Sequence, residues 1–140
     1  MEYVCDATEG KTWFRIETET EAQNESEAMN HAVEKYFRRD REKAVQSYQP
    51  TSASFIERDI GLKAHIAKAM PLFLTLRDRE GVPLATAMLP PEGKEDAAFK
   101  IIIVGPSNGD PYPKEGDAIA ALGKRFGLTL DRGRCFPYGR

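Results

Sequence analysis

Two apolar runs, Leu72–Arg77 and Val82–Leu89, flank the tetrapeptide Asp78-Arg79-Glu80-Gly81. No other stretch restricts the chain as tightly. The pairing reads as a β-hairpin, and Gly81 supplies the left-handed residue that its loop requires. Pro83 falls near the start of the second run, where a missing N–H is tolerated on an edge. The nearly continuous apolar run Phe99–Val104 then reads as an interior strand buried on both faces, with Ile101 and Ile103 opposite Ile102 and Val104.

The remaining segments supply more strands and the helices that cover them. Residues 2–6 and 11–20 read as strands joined by the turn Glu9-Gly10-Lys11. Over Trp13–Glu21 the side chains alternate, with Phe14 and Ile16 on one face and Trp13, Arg15, Glu17, Glu19 and Glu21 on the other. That is the period of a strand with one wet face. Met29, Val33, Tyr36, Phe37, Ala44, Val45 and Tyr48 recur at helical spacing, and the first four are expected to face the sheet. They predict a helix from about residue 25 to 48, capped by Asn24 with Glu27 in capping-box position, or by the rival cap Ser26. Gln49-Pro50 stops it, and its length invites a break near Asp40.

Ser54–Glu57 reads as a short strand, and Asp59–Met70 as a helix capped by Asp59 and stopped by Pro71. Residues 105–116 form a proline- and glycine-rich loop, Asp117–Phe126 a helix capped by Gly127, and Leu128–Leu130 a last edge strand. The expectation is one α+β domain spanning residues 1–140, with a loose connection near 49–54. A mainly antiparallel sheet of about five or six strands carries about two or three helices packed on one face.

Composition narrows the function classes. At 140 residues, 41% hydrophobic and 30% charged, the chain suits a single globular domain and is too apolar for disorder. A net charge of −2 gives no global drive towards nucleic acid or an anionic membrane. The charge is uneven: residues 1–34 balance at −7 and residues 124–140 at +4, so the two ends are expected to attract each other or different partners. Residues 1–25 start acidic and lack a long apolar core, and no apolar stretch reaches membrane-spanning length. The expected location is cytoplasmic, with no membrane association and with Cys5 and Cys135 as free thiols.

The sequence contains no recognisable catalytic motif. The loop Gly105–Gly116 follows a strand and precedes a helix, a setting in which backbone N–H groups bind anions, yet it has neither GxxxxGK[ST] nor GxGxxG and carries three prolines. Cys5, His31, His65 and Cys135 stand one per region, with no pair at zinc spacing, so neither a metal nor a cofactor is expected. His31 flanks the apolar helix stripe and reads as a surface or core-edge histidine, while Arg132 and Arg134 are the only groups near Cys135 that could activate its thiol. The basic helix patch Lys35, Arg38, Arg39, Arg41 and Lys43 is interrupted by Asp40 and Glu42, and nucleic-acid binding is not expected.

The leading expectation is therefore a non-catalytic binding or regulatory domain acting through protein contacts or self-association. Trp13, Glu17 and Glu19 on one face and Arg132 and Arg134 in the tail are its candidate contact residues, each group joining an aromatic anchor to unbalanced charge. The first alternative is a small-molecule-binding domain or enzyme using the loop through Ser107, Asn108, Asp110 and Tyr112, together with the basic tail. A nucleic-acid-binding accessory protein is the second. A concave pocket beside Ser107–Lys114 with converging polar groups would favour the first alternative over protein contacts.

Overall fold

The computed structural model of the chain describes residues 1–51 and 53–138. Ser52, in the expected connection, and Gly139 and Arg140, at the end of the expected basic tail, lie outside the described residues. Among these residues the elements run β1 (Glu2–Asp6), β2 (Thr12–Arg15), α1 (Glu19–Met29), α2 (Val33–Ser47), α3 (Phe55–Ala69), β3 (Leu72–Arg77), β4 (Pro83–Leu89), β5 (Ile102–Val104) and α4 (Tyr112–Phe126). The class is α+β. The five strands form an antiparallel sheet in sequence order, β1-β2-β3-β4-β5.

The β3–β4 hairpin matches the sequence pattern almost residue for residue, from Leu72↔Leu89 to Leu76↔Ala85, with Gly81 at φ 83° in the loop. Successive side chains alternate across the sheet. Leu72, Leu74 and Leu76 of β3, with Ala85, Ala87 and Leu89 of β4, pack beneath Ala118, Ile119 and Leu122 of α4. Phe73 points the other way and joins Ile16, Ala22, Phe37, Ala44 and Met70, with its ring 5.3 Å from that of Phe37 and edge-on. Helices therefore cover both faces instead of the expected one, and among the described residues there are four of them. Both sides of β3 are buried, Leu72, Leu74 and Leu76 on one and Phe73 and Thr75 on the other, so one helical layer would leave the second side wet.

The double cover explains the largest departure from expectation. Trp13 is fully buried, and its indole N–H donates to the Ala118 carbonyl at 2.8 Å, docking α4 on β2. The alternation read over residues 13–21 extends past the end of the strand. Helix α1 begins at Glu19 because Thr18 caps it: the Thr18 hydroxyl accepts from Glu21 N–H at 3.1 Å, and the Glu21 carboxylate accepts from Thr18 N–H at 3.1 Å. Glu19 and Glu21 are thus helical, and the expected acidic strand face does not form.

The predicted long helix is two helices. Asn30 adopts the left-handed conformation at φ 52° and ends α1, and α2 begins at Val33, whereas Asp40 lies buried within α2 without breaking it. Met29 and Phe37 are buried as expected, but Tyr36 is almost half exposed. Helix α3 starts at Phe55, capped by the Ser54 side chain, where a short strand and an Asp59 cap were expected.

Strand β5 is short, and Ile101 and Ile103 are buried in the α4-side core as expected. Where an interior strand was expected it is the last strand of the sheet, with Ile102 only partly buried, and its outer edge is closed by the tail: Phe136 N–H donates to the Ile101 carbonyl at 2.8 Å and Ile103 N–H to the Phe136 carbonyl at 3.2 Å. Leu128 and Leu130 form no strand; they are buried under α4, which ends at the expected Gly127 cap, φ 70°.

Candidate functional site

Glu25 of α1 is completely buried, and a carboxylate there requires partners to offset its lost hydration. It has two. Arg77 of β3 donates from Nη2 to Oε1 at 2.8 Å, and Thr86 of β4 donates from Oγ1 to Oε2 at 2.6 Å. Arg77 is further held by its Nε–H to Thr75 Oγ1 at 3.0 Å and its Nη1–H to the Gly81 carbonyl at 3.1 Å. Because the Thr86 proton is committed to a carboxylate, the 2.9 Å contact between Thr86 Oγ1 and His31 Nε2 assigns the imidazole proton to Nε2. Nδ1 is then the acceptor, and it takes a long hydrogen bond from the backbone N–H of Val33 at 3.4 Å. Burial pushes the His31 pKa below its ordinary value, against the opposing pull of the Glu25 carboxylate, so the ring is neutral at pH 7.

His31 and Thr86 stand in the wall of a cleft of about 320 Å³. The link between α1 and α2 and the first turn of α2 give one wall, His31, Ala32, Val33 and Tyr36. Phe73, Met88, Ile102 and Val104 from the sheet form its floor, and Asn108, Phe136 and Pro137 close the far side. The cleft is therefore apolar, walled by the three rings of Tyr36, Phe73 and Phe136, with convergent polar atoms at one end. That composition is the usual one for a small-molecule site.

The loop and the tail meet here. Tyr138 donates from its hydroxyl to the Asn108 carbonyl at 2.8 Å, and Arg132 donates from Nε to Asp110 Oδ2 at 2.7 Å while its guanidinium stacks on the Tyr138 ring. Asn30 Nδ2 donates to Ser107 Oγ at 3.0 Å, tying the α1–α2 link to the same loop. Ser107 and Asn108 are both left-handed, φ 56° and 58°, which aims this turn back towards α1. Tyr112 donates to the Leu130 carbonyl at 2.8 Å, and Arg134 pairs with Glu95 at 3.3 Å.

The other contact candidates lie elsewhere. Trp13 is in the core, so it presents no surface anchor; Glu17 lies beside the N-terminal ammonium, and Glu19 accepts from Arg38 at 2.7 Å. Among the described residues the ion pairs of the acidic end include those with the N-terminal ammonium and Arg38, those of the basic end are with Asp110 and Glu95, and no ion pair joins the two ends although β1 and α4 pack against each other. Cys5 and Cys135 are free thiols, and burial pushes the Cys135 thiol up, outweighing the Tyr112 hydroxyl and Arg134 that the tail places near it. Among the described residues, no three histidine, cysteine, aspartate or glutamate side chains group as a metal would need, and no helix is long and apolar enough to cross a membrane.

Glu25, Thr86 and Arg77 are the residues that sequence reasoning missed. Glu25 is 52 positions from Arg77 and 61 from Thr86, and only the register of β3 against β4 and the docking of α1 bring the three together. No protein-family model, curated protein or solved structure matches the chain.

Proposed function

We propose that this chain is a binding domain for a small, mostly apolar molecule held in the cleft between α2, the β4–β5 face and the C-terminal tail. One observation carries it: an apolar, ring-walled cavity of about 320 Å³ whose only built polar end is the His31–Thr86–Glu25–Arg77 chain. A buried ionic network contributes little net stability compared with apolar packing, which makes its place beside a cavity more telling than its presence. A pocket of this volume sits at the small end for ligand sites and suits a molecule of one or two rings.

The test is a ¹⁵N-correlation titration with the neutral probe 2-methoxynaphthalene. Shifts should concentrate at Val33, Tyr36, Met88, Ile102 and Val104, and Ala32→Trp, which fills the mouth from an exposed position, should abolish them without unfolding the chain. Shifts spread evenly over the surface, or unaltered by Ala32→Trp, would remove the cleft as the site.

A second function, contact with another protein, is favoured by a different feature. Phe55, Ile56 and Ile60 of α3 are 80%, 69% and 62% exposed, an apolar cluster on one short helix segment. Contact residues would then lie on α3, away from Trp13 and the tail. Light scattering of the wild type against Ile56→Glu with Ile60→Glu checks it: self-association should give about twice the chain mass at high concentration and revert to a single chain in the variant.

A further inference from the structure

We infer that the cleft selects an aromatic alcohol, a one- or two-ring molecule whose hydroxyl donates a hydrogen bond to Nδ1 of His31, and this rests on the cleft being the ligand site. The polarity of the site is fixed from its buried end outwards. Arg77 holds Glu25 as a carboxylate at 2.8 Å, the carboxylate takes the Thr86 proton at 2.6 Å, and Thr86 Oγ1 then accepts from His31 Nε2–H at 2.9 Å. Every proton in the chain points inwards. The outermost group of the unit is His31, in the cleft wall, and its acceptor Nδ1 is held among the described residues by the long 3.4 Å bond from Val33 N–H. A ligand donor at ordinary hydrogen-bond distance outcompetes such a contact.

The same arrangement disfavours other head groups. A carboxylate or phosphate would need a cation in the wall, and no lysine or arginine is among the described residues that line the cleft, Arg39 and Lys100 being engaged over the rings of Tyr36 and Phe136. An anion would also face the Glu25 carboxylate across a single hydroxyl. A ketone or ether offers no proton, and would meet the His31 acceptor lone pair to lone pair. For the ligand body, the rings of Tyr36, Phe73 and Phe136 on three sides favour a flat aromatic over a branched aliphatic, because ring pairs add to simple area burial.

Protonation of His31 would convert Nδ1 to a donor and reverse the preference. The titratable and charged groups around the imidazole are Glu25 from α1, Arg77 from β3 and Tyr36 from α2, and β4, β5 and the tail contribute none to the lining. Histidine is the residue type in this set whose ordinary pKa lies between pH 5 and 8.

Three probes of one shape separate the outcomes: 2-naphthol, 2-methoxynaphthalene and 2-naphthoate, each titrated into the full chain at pH 7.5 and pH 5.0. At pH 7.5, 2-naphthol should bind about five- to tenfold tighter than 2-methoxynaphthalene, the worth of one net hydrogen bond, and 2-naphthoate more weakly than either. The naphthol preference should fall towards unity at pH 5.0, and also in His31→Phe at either pH, where methoxynaphthalene binding persists. Equal binding of naphthol and its methyl ether to the wild type, or tightest binding of naphthoate, overturns the inference while leaving the cleft as a site. Failure of all three to bind overturns both. If His31→Phe does not fold, the wild-type probe pair at the two pH values decides alone.

Discussion

Replacing Glu25 by alanine removes the acceptor of both Arg77 Nη2 and Thr86 Oγ1 from a completely buried position. Breaking one side of a buried ion pair typically costs ~3–5 kcal/mol, because the partner is left without compensation. Arg77 keeps its bonds to Thr75 and Gly81 and reaches some solvent, which sets the expectation at the lower end, about 3 kcal/mol. For a chain of this length that corresponds to a fall of about 10 °C in Tm. Glu25→Gln keeps the shape and one neutral acceptor, and should lose roughly half as much. The assay is urea denaturation of Glu25→Ala, Arg77→Ala and the double variant, closed into a cycle. A coupling energy of about 1.5–3 kcal/mol is expected between the two positions. Reversal of the Glu19–Arg38 pair, which is geometrically as short at 2.7 Å but exposed, should leave stability unchanged. A coupling indistinguishable from zero, or Glu25→Ala as stable as the wild type, would refute the claim that this pair ties α1 to the sheet.

Two further outcomes follow from named contacts. Since the folded His31 has a lowered pKa, the unfolded chain binds its proton first as pH falls, so stability should be full above about pH 6.5 and decline below it, a step that His31→Phe removes in urea titrations across pH. Thr18→Ala deletes the α1 cap and one half of its capping box, and should cost about 1 kcal/mol by the same assay.

What the sequence revealed and what it hid divide along physical lines. The β3–β4 hairpin and the Gly127 cap were legible because turn chemistry and apolar runs are local, and both specify their own boundaries. The failure at Trp13–Glu21 is one of competing local signals. Thr18-Glu19-Thr20-Glu21 is a capping box, yet the alternation that begins in β2 runs on through it, and Asn24-Glu25-Ser26-Glu27 offers the same spacing one and a half turns later. Once β2 was read as having a wet face, Trp13 had to be on it. Phe73, set opposite Leu72, Leu74 and Leu76 in β3, is the signal for a second helical layer, and such a layer would cover the indole.

The site was less accessible still. Asn108 lines the cleft, and Ser107, Asp110 and Arg132 fasten the loop and tail around it, so the structure brings the loop and tail of the first alternative to one place. His31, however, looks like any histidine at the edge of an apolar stripe. Its character comes from Thr86 and Glu25, whose approach depends on strand register and helix docking and leaves no spacing to read.

Intermolecular NOEs from bound 2-methoxynaphthalene give the most direct measurement of where a ligand sits. The probe protons should show contacts to the Met88 and Val104 methyl groups and to the Tyr36 ring, which line the cleft from three different elements. Contacts to Leu74 and Ile119 in the opposite core, or to Phe55, Ile56 and Ile60 on α3 alone, would contradict the cleft as the binding site.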